Sequence, residues 1–224
     1  MMNNLFSIFD PSSNLMSLSL NWMSSIYIVM IFPMIYWMIP NRSLMLLIKL
    51  FKILNNEIYT LLKNNSFKGI SLTFMVLFMI IVLNNFMGLF PYIFTSSSHL
   101  VFNMSFSLPI WFTLMFFGWI NKTENMFSHL IPSGTPPLLM PFMVLIETTS
   151  NMIRPLTLAV RLTANMIAGH LLISLLSNNG SMVPWYLYWL IISMELMLML
   201  LESSVAIIQS YVFTILSTLY TSEI

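Results

Sequence analysis

Long uncharged apolar runs alternate with short polar stretches along the whole chain, and the run lengths decide what each run can be. Residues 17–39, SLSLNWMSSIYIVMIFPMIYWMI, carry no charge. They are long enough to cross a hydrocarbon core of about 30 Å and predict a first spanning helix. Residues 43–63 differ: Lys49, Lys52, Asn56 and Lys63 share one helical face, while Leu, Ile and Phe fill much of the rest. That pattern predicts an amphipathic helix lying on a membrane surface. Residues 69–120 contain no Lys, Arg, Asp or Glu, and the polar patch Thr95–His99, TSSSH, divides them into two halves. The halves predict an antiparallel hairpin of spanning helices. Asn121–Pro137 has the composition of a loop.

Two much longer apolar segments follow, residues 138–176 and 184–220, separated by SNNGSMV. As a continuous helix each would extend roughly 55 to 60 Å. Neither can stand upright in the bilayer, so each must bend or lie strongly inclined. Pro141, Pro155 and Gly169 offer bends to the first segment. The second has no Gly or Pro beyond Pro184, which favours one unbroken inclined helix. The expected fold is therefore an all-α polytopic membrane protein forming a single membrane domain over residues 1–224. It has about five membrane-embedded helices and one surface helix, and residues 138–220 form an antiparallel pair.

Composition supports this frame and removes several function classes. Hydrophobic residues make up 58% of the chain and charged residues 7%, against about 25% charged in soluble proteins. A net charge of +1 offers no electrostatic basis for nucleic-acid binding. The chain has no cysteine, which excludes disulfides, iron–sulfur clusters and thiolate metal sites. No cleaved leader is expected, because MMNNLFSIFDPSSN has no basic n-region and carries Asp10. Five of the eight basic residues, Arg42, Lys49, Lys52, Lys63 and Lys68, fall between the first and second crossings. The positive-inside rule places that connection on the matrix or cytoplasmic side and the N-terminus opposite. Lys122 returns to the positive side.

The last two segments hold the candidate chemistry: Glu147, Arg154, Arg161, Asn165, His170, Glu195, Glu202 and Gln209, with Glu223 beside the final apolar turn. Ionisable groups at membrane depth are expensive and mark ion paths or paired sites. Glu147, Arg154 and Arg161 are spaced by seven and share a helical face, with Asn165 one turn on, while His170 points nearly the opposite way. Glu195, Glu202 and Gln209 form a second series of the same spacing. In an antiparallel pair, groups at one depth have residue numbers with a nearly constant total. Glu147 with Glu223, Arg161 with Gln209, and His170 with Glu202 obey that condition. The register centres near Trp185, past the middle of SNNGSMV, so a bend or oblique crossing must absorb about five residues. The result is two offset aqueous entrances separated by a fixed cation. Plainer roles are a structural ion pair of Arg161 with Glu202, a packing role for His170, and a solvated Glu223. His99 and His129 fall in predicted loops and are expected to do nothing specific. A secondary transporter would show an internal repeat, and a haem or copper subunit would need paired membrane histidines; neither pattern is present.

Three stretches, FNNFMGLFPYIFTSSSHL, PSGTPPLLMPFMVLIETTSNMIRPLTLAVRLTANMIAGHLL and LESSVAIIQSYVFTILSTLY, resemble subunit a of the F-type ATP synthases in its mitochondrially encoded, arthropod-like form. The likeness covers essentially the whole chain. It implies a proton-translocating stator subunit that is not catalytic by itself and needs no cofactor or metal. Its implied partners are a ring of c subunits, other membrane-sector and peripheral-stalk subunits, and membrane lipids. It implies that Arg161 is the stator cation facing the rotor, that His170 and Glu202 line an intermembrane-space half-channel, and that Glu147 and Glu223 line a matrix half-channel. Gln209 would sit near the arginine, with Asn165 on the proton path. The implied location is the mitochondrial inner membrane, N-terminus in the intermembrane space and C-terminus in the matrix. The resemblance carries no role for Arg154 or Glu195.

Overall fold

The structure, a computed structural model, describes residues 5–13, 18–30, 39–62, 69–131, 136–180 and 184–223. Seven α-helices and no strand occur among the described residues. The run predicted as the first crossing opens with a 3-10 turn, Leu20–Trp22, and helix α1, Met23–Met30. Its residues 31–38 lie outside the described residues. Helix α2, Arg42–Leu62, keeps Lys49, Lys52 and Asn56 exposed and buries Ile58 and Leu62 against Phe74. Lys63 and Lys68 lie outside the described residues.

Gly69, at φ 108°, turns the chain into helix α3, Ile70–Gly88. Its left-handed backbone is one that a Cβ would strain. Helix α4 follows over Leu100–Asn121. The two helices were expected as a hairpin, yet α3 packs chiefly on α7 and α4 chiefly on α6. The polar turn between them is not a solvated loop. Thr95, Ser96, Ser97 and Ser98 are all buried, and the turn packs against α6. Buried polar groups there find internal partners, apart from the Ser97 hydroxyl, which has none among the described residues. Thr95 Oγ1 donates to Ser98 Oγ at 3.1 Å, Ser96 Oγ to Asn84 Oδ1 at 3.0 Å, and Asn103 Nδ2 to the Ser97 carbonyl at 2.8 Å.

The stretch expected as a loop after α4 contains helix α5, Thr123–Leu130. Glu124 in its first turn and His129 in its last suit the helix dipole. Phe127 packs edge-on against Trp119 at 5.2 Å. Helix α6 runs unbroken from Met140 to Gly180, through Pro155 and Gly169, and α7 from Trp185 to Glu223. The Ser177–Gly180 part of the expected turn is thus helical, and the connection is shorter than composition suggested. Among the described residues four helices, α3, α4, α6 and α7, are long and apolar enough to cross a membrane.

The interior is more polar than the exterior. Fourteen buried residues among those described are polar or charged and eleven are apolar, while large apolar side chains cover the outside. That inversion is expected of a bundle solvated by lipid, where small and polar residues bring helices together. On α7, Ser210, Thr214, Ser217 and Thr218 are buried and return their hydroxyl protons to carbonyls of their own helix. They pack as small residues and leave no donor unpaired.

Candidate functional site

Helix α6 divides into two faces. Pro155, Leu158, Ala159, Leu162, Thr163 and Met166 form its buried stripe. Leu158 and Leu162 join Leu77 and Ile81 of α3 and Phe213 of α7 in one apolar cluster. Arg161 lies on the outward face, exposed, with Ala164 and Ala168 exposed above it. No hydrogen bond, ion pair or ring contact joins Arg161 to another described residue. A structural pair with Glu202 is therefore not formed, because that carboxylate is held elsewhere.

Glu202 is 4% exposed and meets His170, whose Nε2 lies 3.7 Å from Oε1. The distance is beyond a direct hydrogen bond, and neither Nε2 nor either carboxylate oxygen has a hydrogen-bond partner among the described residues. Buried polar groups are ordinarily satisfied, so this facing pair departs from the rule at the contact of the two long helices. Phe9, in the N-terminal 3-10 turn Leu5–Phe9, covers His170 edge-on at 6.3 Å.

A second set of unsatisfied groups lies on α3. Asn84 and Asn85 are fully buried, and both side-chain amide atoms of Asn85 lack a partner among the described residues. Asn84 donates to the Ile80 carbonyl and accepts from Ser96. Ile81 belongs to the Leu158–Leu162–Phe213 cluster, and a Cβ on Gly88 would touch Met166 at 3.7 Å. Asn84 and Asn85 therefore sit between the levels of Leu162 and Met166, on the stretch of α6 that separates Arg161 from His170.

Toward the other end of α6, Arg154 Nη2 lies 3.6 Å from Glu147 Oε1, and its guanidinium stands 5.0 Å over the Tyr220 ring of α7. All three line a cavity of about 520 Å³ whose wall also carries Trp111 and Trp119 of α4 and His129 of α5. His129, expected to be idle in a loop, thus borders this cavity. His99, expected to be idle as well, is stacked on Phe94 at 5.2 Å and lies 5.2 Å from Trp22. It joins the segment before α1 to the buried turn, and Ser24 Oγ adds a bond to the Phe94 carbonyl at 3.3 Å.

His170 meets Glu202 as the constant total requires. Arg154 over Tyr220, and Gly180 beside Ile191, follow nearly the same total. No hydrogen bond joins Arg161 to Gln209 or to Asn165, both half-buried. The side chain of Glu223 lies outside the described residues, so its pairing with Glu147 is not described. Sequence reasoning missed Asn85, Tyr220, Phe9 and the buried serine turn. The NN pair inside an uncharged run was a readable signal of costly polar groups at membrane depth. Phe9 and Tyr220 carried none.

A family profile described as ATP synthase A chain matches residues 15–222. The chain is 55% identical to the ATP synthase subunit a of Anopheles gambiae, covering 100% of both chains. It is 55% identical to that of Locusta migratoria and 53% identical to that of Drosophila melanogaster, again over 100% of both chains.

Proposed function

This chain belongs to the ATP synthase A chain family, as the proton-channel stator subunit of the F-type enzyme, and we propose that it passes protons through two half-channels that end on either side of Arg161. It is a multi-pass membrane protein whose apolar helices and insect relatives fit the mitochondrial inner membrane. The observation that carries the reading is the separation of two polar sites along α6. The buried His170–Glu202 pair lies about 14 Å from Arg161 along the helix, and Glu147 about 21 Å on the other side. Arg161 itself stands on the outward face with no ion-pair partner among the described residues.

The half-channel at His170 and Glu202 opens to the intermembrane space and reaches inward past Asn85 and Asn165. The half-channel at Glu147, Arg154 and Glu223 opens to the matrix, with Gln209 near Arg161 between them. The N-terminus lies in the intermembrane space and the C-terminus in the matrix, in keeping with the basic connection between the first crossings. The partner at Arg161 is a ring of small subunits bearing a membrane carboxylate, within the membrane sector and peripheral stalk of the complex. The exposed Ala164 and Ala168 leave room for its helices to approach. The chain performs no bond chemistry of its own.

Arginine supplies a charge that does not titrate. At about 4 Å and an effective dielectric near 20 its attraction for a carboxylate is roughly 4 kcal/mol. That favours the ionised form by about three powers of ten. A carboxylate therefore releases its proton only beside Arg161 and stays protonated while it crosses lipid. A proton arriving through Glu202 neutralises one carboxylate, which travels around the ring before discharging toward Glu147. The drive is about 2.3 kcal/mol per charge per 100 mV, plus the pH gradient.

Thiol accessibility tests the two entrances, since the chain has no native cysteine. In the intact complex, His170→Cys should react with a small impermeant reagent added on the intermembrane-space side, and Glu147→Cys with the same reagent added on the matrix side. Reaction of both from one side would refute two offset half-channels.

A further inference from the structure

The spanning helices α3 and α4 lean on different partners and leave a groove between them. Its volume is about 580 Å³, and Phe74, Leu77, Phe106 and Ile110 contribute to its walls. Four lining residues bear hydroxyls, and each donates to a carbonyl of its own helix: Thr73 to Ile70, Ser105 to Phe102, Thr113 to Ile110 and Thr221 to Thr218. The groove thus offers little to a polar occupant. Among the described residues its one charged lining residue is Lys122, at the C-terminal end of α4. From Ser105 to Lys122 the α4 wall runs about 25 Å, the length of an acyl chain with its headgroup.

A gap of this kind between spanning helices cannot be left to water, because its walls are hydrocarbon. We propose that the α3–α4 groove is a binding site for an anionic phospholipid, with an acyl chain along Phe74, Leu77, Phe106 and Thr113 and the headgroup phosphate at the Lys122 ammonium. Basic residues at the mouth of an interhelical groove select anionic headgroups, by charge, over zwitterionic ones. The occupant is a lipid rather than a further protein helix, because a tail fits an apolar wall and its phosphate matches the Lys122 cation at one end. A spanning helix would bring neutral backbone to that cation.

The intact complex, reconstituted in phosphatidylcholine vesicles, tests this with a low fraction of phosphatidylglycerol carrying a diazirine in its acyl chain. A phosphatidylcholine carrying the same diazirine serves as the matched probe. Adducts on the α4 peptide should be about fivefold more abundant with phosphatidylglycerol. Lys122→Gln should bring them to the phosphatidylcholine level, Lys122→Arg should retain them, and Thr113→Trp should remove labelling by both probes. Co-purification of the other subunits reports that each variant has assembled. Equal labelling by the two headgroups, or labelling unchanged in Lys122→Gln, would overturn the proposal. So would a Thr113→Cys variant bearing a benzophenone that cross-links to another subunit's helix in place of lipid.

Discussion

The missing side chain of Gly169 is the space that the Glu202 carboxylate occupies: a Cβ there would stand 2.5 Å from Oε1 and 2.7 Å from Cδ. The two long helices approach each other at that point because one of them carries no side chain.

Gly169→Ala should therefore push the Glu202 carboxylate away from His170. Overpacking of this kind costs about 1–3 kcal/mol. A misplacement near 1 Å in a proton-transfer geometry can cost on the order of a hundredfold in rate. Passive proton flux through reconstituted membrane sectors should fall steeply while the complex still assembles. Flux equal to the parent's would show that this contact does not lie on the route.

Arg161→Gln should abolish proton-driven ATP synthesis, since no fixed charge remains to discharge the passing carboxylate. Arg161→Lys should fail largely as well, because an ammonium lacks the planar fork and can lose its proton in a desolvated site. Arg154→Gln should be milder, lowering synthesis severalfold, because Arg154 is held by Glu147 and Tyr220 about 10 Å along the helix. Coupled synthesis preserved in Arg161→Gln and lost in Arg154→Gln would move the stator charge by two turns.

Asn85→Leu separates packing from conduction. The Asn85 amide is buried with both polar atoms unpaired among the described residues, and such groups carry a desolvation penalty of about 1–3 kcal/mol. If Asn85 were only a packing residue, leucine would leave proton flux unchanged or improve thermal stability. As part of the intermembrane-space route, its replacement should lower flux severalfold with stability maintained or raised. Melting temperature and flux measured on the same preparation distinguish the two.

The register of α6 against α7 predicts disulfide formation. Cysteines at positions 170 and 202 should cross-link in higher yield than pairs out of register, as contact between His170 Nε2 and Glu202 Oε1 puts the two positions at one level. Cysteines at 161 and 202 should not, being displaced by more than two turns. Equal yields at both pairs, read by gel mobility under oxidising conditions, would show that the helices slide.

The sequence by itself determined the class, the apolar runs that form α3, α4, α6 and α7, and the identity of the ionisable residues. Each is a one-dimensional property: a run of uncharged apolar residues has few stable environments other than lipid. A costly charge in such a run stands out wherever the chain goes. Helical spacing and the constant total also anticipated that His170 would face Glu202, because both helices are regular and antiparallel. Tertiary structure alone decided how the serine turn is buried against α6, which helix each of α3 and α4 leans on, that Asn85 lies between the levels of Arg161 and His170, that Phe9 covers His170, and that Tyr220 holds Arg154. These contacts join residues far apart in the chain, and no periodicity within a single segment encodes them. They depend on where small residues such as Gly169 and Ser210 let helices approach, a property of facing surfaces that exists only once the bundle has closed.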